Sequence, residues 1–93
     1  MYNNLIVIIR WVQMIASLTG ILTSIGKSEI IIEVNGVGYL LNVTSKLIST
    51  LGEIGSTLSV FTDLQIKDDK ILMYGFRTVA DQDFFRLLQT VQG

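Results

Sequence analysis

The chain has 93 residues, room for one small domain whose core is modest and whose stability on its own is marginal. It contains no cysteine and no histidine, which excludes a disulfide framework, the usual zinc sites and the commonest general base. Seven basic residues against eight acidic ones give a formal charge of −1, so the chain lacks the basic excess of a stand-alone nucleic-acid binder, and any DNA contact has to be local or supplied by further sequence.

Taken in chain order, the first apolar run, Leu5-Ile6-Val7-Ile8-Ile9, has the composition of a signal or membrane segment, but Arg10 interrupts it. It falls well short of the ~20 apolar residues that a spanning helix needs, and it has neither a basic n-region nor a clear small-residue cleavage site. A cytoplasmic protein with no membrane partner is expected. Met14 opens the strand-like stretch Met14-Ile15-Ala16-Ser17-Leu18-Thr19-Gly20, so residues 1–13 read as an extension from a start codon placed too early. The other reading is a strand or helix that packs on the domain.

Ile15 to Ile25 carries Leu18, Ile21, Leu22 and Ile25 among Ser and Thr, the pattern of a long strand whose alternation slips around Gly20, where a bulge or bend is expected. A turn at Gly26-Lys27-Ser28 leads into a hairpin closed by Asn35-Gly36, two residues suited to a type I′ turn. With Val34 opposite Val37, Ile32 falls opposite Tyr39 and Ile30 opposite Leu41, giving one apolar face. The other face sets Glu33 with Gly38, Ile31 with Leu40 and Glu29 with Asn42. Ser45 to Leu51 reads as a short helix-like link and Gly52-Glu53-Ile54-Gly55 as a turn.

Thr57 to Leu64 reads as a fourth strand, Ile66-Lys67-Asp68-Asp69-Lys70 as a charged turn, and Ile71 to Phe76 as a fifth strand that is apolar on both faces. Such a strand needs cover on both sides, one from a barrel interior and the other from a helix or neighbouring subunit. Thr78 and Asp81 stand at capping-box spacing before a helix in which Phe84, Leu87, Leu88 and Val91 form one apolar stripe. Five short strands with a link between the third and fourth fit a mainly β fold, the Greek-key OB barrel, although pattern alone allows another small barrel.

The residues offer little chemistry of their own. Tyr39, Tyr74 and Phe76 read as core residues rather than base-stacking platforms. Lys27, Lys46, Lys67, Lys70, Arg77 and Arg86 are scattered and read as solubilising. Gly36-Val37-Gly38 is a hairpin pair and not a dinucleotide fingerprint, since no helix follows it. Asp63, Asp68 and Asp69 match no calcium loop and have no nucleophile or base beside them, so no cofactor, metal or catalytic role is expected. On the residues alone, Asp68 and Asp69 between Lys67 and Lys70 are an ordinary solvated turn.

Met14-Ile15 leading to Leu18 and Gly20, then Val34-Asn35-Gly36-Val37-Gly38-Tyr39, Val60-Phe61-Thr62 and Leu72-Met73-Tyr74-Gly75-Phe76 together resemble, in order and spacing, the amino-terminal OB-fold domain of the RuvA family. The resemblance covers residues 14–93. It implies a non-catalytic subunit of a DNA recombination and repair complex, a homotetramer that holds a four-way Holliday junction open and flat while the partner RuvB, the ATPase, drives branch migration. It also implies that Asp68 and Asp69 match the family's acidic pins, which cluster at the junction crossover and repel phosphate. Three segments are then expected: 1–13 as the extension, 14–77 as the OB-fold domain, and 78–93 as a helix leading toward helix-hairpin-helix motifs and a RuvB-recruiting domain that this sequence lacks. Junction binding is therefore expected to be impaired. The alternative is a structural OB-type interaction module, or a decayed gene fragment with no DNA role.

Overall fold

The computed structural model describes residues 17–92, with side chains through Gln89. The expectations for residues 1–13 and for Ile15 lie outside the described residues. Among the described residues, five strands and two helices follow in the order β1 (Ser17–Ile25), β2 (Glu29–Val34), β3 (Val37–Asn42), α1 (Ser45–Ile48), β4 (Thr57–Lys67), β5 (Lys70–Phe76) and α2 (Val79–Gln92). The strands close into a barrel in the order β1-β2-β3-β5-β4, mainly β and consistent with the OB-fold.

The β2–β3 hairpin has the register its apolar face demands, with Ile30 opposite Leu41, Ile32 opposite Tyr39 and Val34 opposite Val37. Ile30, Ile32 and Leu41 are buried, and they share the barrel interior with Leu22, Val43, Leu47, Leu58 and Val60. Burying each such aliphatic side chain contributes about 1.5–3 kcal/mol. Leu47 arrives on α1, whose first turn is set by Thr44: its Oγ1 accepts a hydrogen bond from Leu47 N at 3.1 Å. Tyr39, expected in the core, is only half-buried.

The first strand departs from expectation in one place. Its register shifts between Leu22 and Ser24, not at Gly20. Gly20 has a different task. A Cβ there would sit on the carbonyl oxygen of Glu33 and within 2.8 Å of Val34 Cγ2 and 2.9 Å of Ile32 Cγ2. At this point β1, already paired with β4 through Ser17–Ile21, turns inward to begin its pairing with β2 at Ile21. The glycine permits that close backbone approach.

The barrel closes through a single parallel bridge, Asn42 opposite Tyr74, reinforced by Asn42 Nδ2 donating to Met73 O at 3.3 Å. On β5, Met73 packs against the core and Gly75 lies beside Leu41 and Val43, so Tyr74 and Phe76 face outward. Those two rings are not barrel core. They lie under Phe85 of α2, with centroids at 4.7 Å and 5.1 Å, so the second apolar face of β5 is covered by the helix.

The cap on α2 is Thr78, whose Oγ1 accepts from Asp81 N at 3.1 Å. The helix lays Gln82, Phe85, Arg86 and Gln89 toward the barrel. Two polar contacts pin it: Gln82 Nε2 donates to Thr62 O at 2.7 Å, and Arg86 Nε donates to Asp63 Oδ2 at 3.0 Å. The apolar stripe points the other way, with Phe84 61 %, Leu87 59 % and Leu88 42 % exposed. The side chain of Val91 lies outside the described residues. No described helix is long and apolar enough to cross a membrane.

Candidate nucleic-acid interface

The two candidate aspartates stand at the tip of the β4–β5 hairpin. The expected five-residue charged turn is shorter than the sequence suggested: β4 continues through Ile66 and Lys67, β5 begins at Lys70, and Lys67 pairs directly with Lys70. Only Asp68 and Asp69 remain in the turn. Both have positive φ, 50° and 65°, the signature of a type I′ turn, whose twist matches that of the flanking strands. Aspartate tolerates this region better than most residues because its short side chain can bond its own backbone. The sequence lacks the glycine that usually announces such a turn, so the charged run reads as a turn of five residues with no type or register.

This geometry fixes what the tip presents. Asp68 and Asp69 are exposed, as are Lys67 and Lys70, so two carboxylates occupy the apex and two ammonium groups the shoulders. Charges so placed act on a neighbour over roughly 8 Å at physiological salt, a range comparable with the dimensions of the tip itself. The formal charges of the four residues cancel, with the negative pair at the turn and the positive pair on the strand ends beside it.

Asp63 does not join this pair. It sits five residues down β4, about 17 Å away along an extended strand, and its carboxylate is nearly buried against Arg86. No group of three or more acidic, cysteine or histidine side chains suited to a metal ion occurs among the described residues. Arg86 is also removed from the list of merely solubilising cations, because its guanidinium ties α2 to β4. The only sequence signal for that pairing is Asp63 itself, the one acidic residue of β4.

A second surface lies at the other end of β5. A cleft of about 390 Å³ opens between α1 and α2, floored by Leu47, Phe76 and Phe85, walled by Phe84 and Leu88, with Arg77 at its rim. It is mainly apolar and continuous with the exposed stripe of α2.

Residues 14–75 match the family model for the RuvA N terminal domain. The chain is 42 % identical over 81 residues to the Holliday junction branch migration complex subunit RuvA of Chelativorans sp. (strain BNC1), an alignment covering 86 % of this chain and 39 % of that protein. It is 44 % identical over 80 residues to the same subunit from Erythrobacter litoralis, with 86 % and 40 % covered. For Bartonella bacilliformis the identity is again 44 % over 80 residues, with 86 % and 37 % covered. The chain thus spans about two fifths of the length of these curated relatives. With the closed five-stranded barrel and the matched residues in agreement, the chain belongs to the RuvA N-terminal domain family.

Proposed function

We propose that this chain serves as the non-catalytic, junction-centre module of a Holliday-junction branch migration subunit, with residues 14–77 as the OB-fold domain and 78–93 as the helix leading out of it. The observation that carries the reading is the tip of the β4–β5 hairpin, where Asp68 and Asp69 share a two-residue turn and are fully presented to a partner. At a four-way crossover these carboxylates act by repulsion. They raise the cost of a phosphate lying close, and so favour an open arrangement of strands without chemical change. The ATP-driven step belongs to the partner RuvB, and tight grip on the duplex arms to helix-hairpin-helix motifs beyond the matched segment. Homotetramer formation agrees with the exposed apolar stripe Phe84, Leu87 and Leu88, since contiguous apolar surface of this kind marks association sites.

The test replaces the aligned part of the Chelativorans relative with residues 14–93 of this chain and follows junction opening by the fluorescence of a base analogue placed at the crossover. Asp68→Asn with Asp69→Asn is expected to reduce opening while leaving the melting temperature of the chimera unchanged. Equal opening in the parent and the double variant refutes the role assigned to the tip.

A further inference from the structure

The arm that carries the two aspartates is gripped at its root by α2, on three consecutive rungs of the β4–β5 ladder. Phe61 stands opposite Phe76, Thr62 opposite Gly75 and Asp63 opposite Tyr74. Phe85 lies over the rings of Tyr74 and Phe76 on β5, while Gln82 Nε2 and Arg86 Nε reach β4 at Thr62 O and Asp63 Oδ2. The helix is therefore attached to both strands. Among the described residues, β1 pairs with β4 as far as Phe61 and β3 meets β5 at Tyr74, so the bracing of the arm by neighbouring strands ends at the rungs that α2 holds.

The two kinds of contact fix different things. Aromatic pairs stay attractive over centroid separations of about 4.5–7 Å, so Phe85 by itself leaves the helix and the arm free to rock against each other. The bond from Arg86 to Asp63, at 3.0 Å and charge-assisted, is directional and weakens steeply as the angle opens. Asp63 and Gln82 are both buried, where water is a poor substitute for the partner. Stability alone is a weak reason for such a pair, because apolar side chains of similar volume often do as well. We infer that Asp63 and Arg86 are positioning residues for the acidic tip: their ion pair, with the Gln82–Thr62 bond beside it, sets the angle at which the arm leaves the barrel and so the place of Asp68 and Asp69. The arm works as a lever. Asp63 and Asp68 are about 17 Å apart along the strand, so a rock of about 10° at the root displaces the carboxylates by about 3 Å, more than a third of the roughly 8 Å over which their charge acts. That effect on a junction rests on the role proposed above for the tip, whereas the positioning stands without it.

The experiment uses the complete 93-residue chain, which has no cysteine, so two introduced cysteines take nitroxide labels at chosen places and pulsed electron resonance reads the distance between them. Lys27→Cys with Lys70→Cys spans from the β1–β2 turn to the tip, and Lys27→Cys with Val37→Cys spans the β2–β3 hairpin, which carries none of these contacts. Asp63→Leu with Arg86→Met replaces the ion pair by apolar side chains and keeps Phe85 in place. It should leave the melting temperature within a few degrees and the second distance unchanged, while shifting or widening the first by about 3 Å or more. Arg86→Lys, which keeps the charge and loses the planar fork, should widen it by less. In the chimera with the Chelativorans relative, the paired replacement should lower junction opening part of the way to the level of Asp68→Asn with Asp69→Asn. An unchanged tip distance in the paired replacement overturns the inference whatever its melting temperature, and so does an equal change in both distances. If the paired replacement does not fold, Arg86→Lys decides alone, and a tip distance identical to the parent's refutes the assignment. A displaced tip beside normal opening in Asp68→Asn with Asp69→Asn supports the positioning and faults only the role of the tip.

Discussion

Replacing Gly20 by alanine tests whether the barrel depends on backbone approach where β1 leaves β4 for β2. The added Cβ meets the Glu33 carbonyl oxygen directly, and also Val34 Cγ2 at 2.8 Å and Ile32 Cγ2 at 2.9 Å. Ordinary contacts of this type exceed about 3.4 Å. The side-chain methyls can rotate away, but Ile32 is fully buried and the Glu33 carbonyl belongs to the β2 backbone, so relief requires β1 and β2 to separate. Overpacking of this severity costs about 2–3 kcal/mol. In a domain of this size each kcal/mol lowers the melting temperature by roughly 4–8 °C, which predicts a fall of about 8–24 °C by calorimetry or circular dichroism. Gly38→Ala supplies the comparison, because its nearest neighbour is the movable Ile31 Cγ2 at 3.3 Å. It should cost less than about 1 kcal/mol. If Gly20→Ala melts within a few degrees of the parent, or no lower than Gly38→Ala, the close-approach account is wrong.

Two further substitutions probe the elements that hold the tip. Asp68→Asn with Asp69→Gly retains the residue types a type I′ turn favours and should leave stability unchanged or slightly raised, whereas alanine at both positions forces two ordinary residues to positive φ and should cost about 1–2 kcal/mol per residue; urea titrations of both variants decide this. Phe85→Ala removes the ring packed on Tyr74 and Phe76 and should cost about 3 kcal/mol with loss of α2 helicity, while Phe84→Ala, on the exposed stripe, should stay within about 0.5 kcal/mol by the same measurement.

The parts of the fold that sequence reasoning anticipated are those set by local periodicity. The Asn35-Gly36 turn dictated the β2–β3 register residue by residue, because one apolar face can be buried in only one alignment. The two-sided character of β5 announced a second covering layer, which α2 supplies. What escaped depended on partners distant in sequence. The register shift in β1 arises between Leu22 and Ser24, just after the strand has passed from β4 to β2, and no local residue marks it. Tyr74 and Phe76 looked like core because alternation shows that two faces differ, not which one is inside. Asp63 and Arg86 are 23 positions apart, and only the docking of α2 on β4 joins them. At the candidate site, the identity of Asp68 and Asp69 was visible, but their confinement to a two-residue turn was not, since aspartate pairs seldom announce positive φ without a glycine.

The bridge at Asn42 and Tyr74 has a consequence for how the molecule comes apart. Every other neighbouring pair of strands is joined by several antiparallel partners, while this junction relies on one backbone pair and one side-chain amide. The barrel is therefore a continuous ribbon with a lightly stitched seam. Breathing motions will part it there first, letting the β4–β5 hairpin with its attached helix lean away from the β2–β3 hairpin while both keep their internal ladders. The acidic tip rides on the leaf that moves, so its reach depends on how firmly the seam holds at the far side of the sheet as well as on the turn that shapes it.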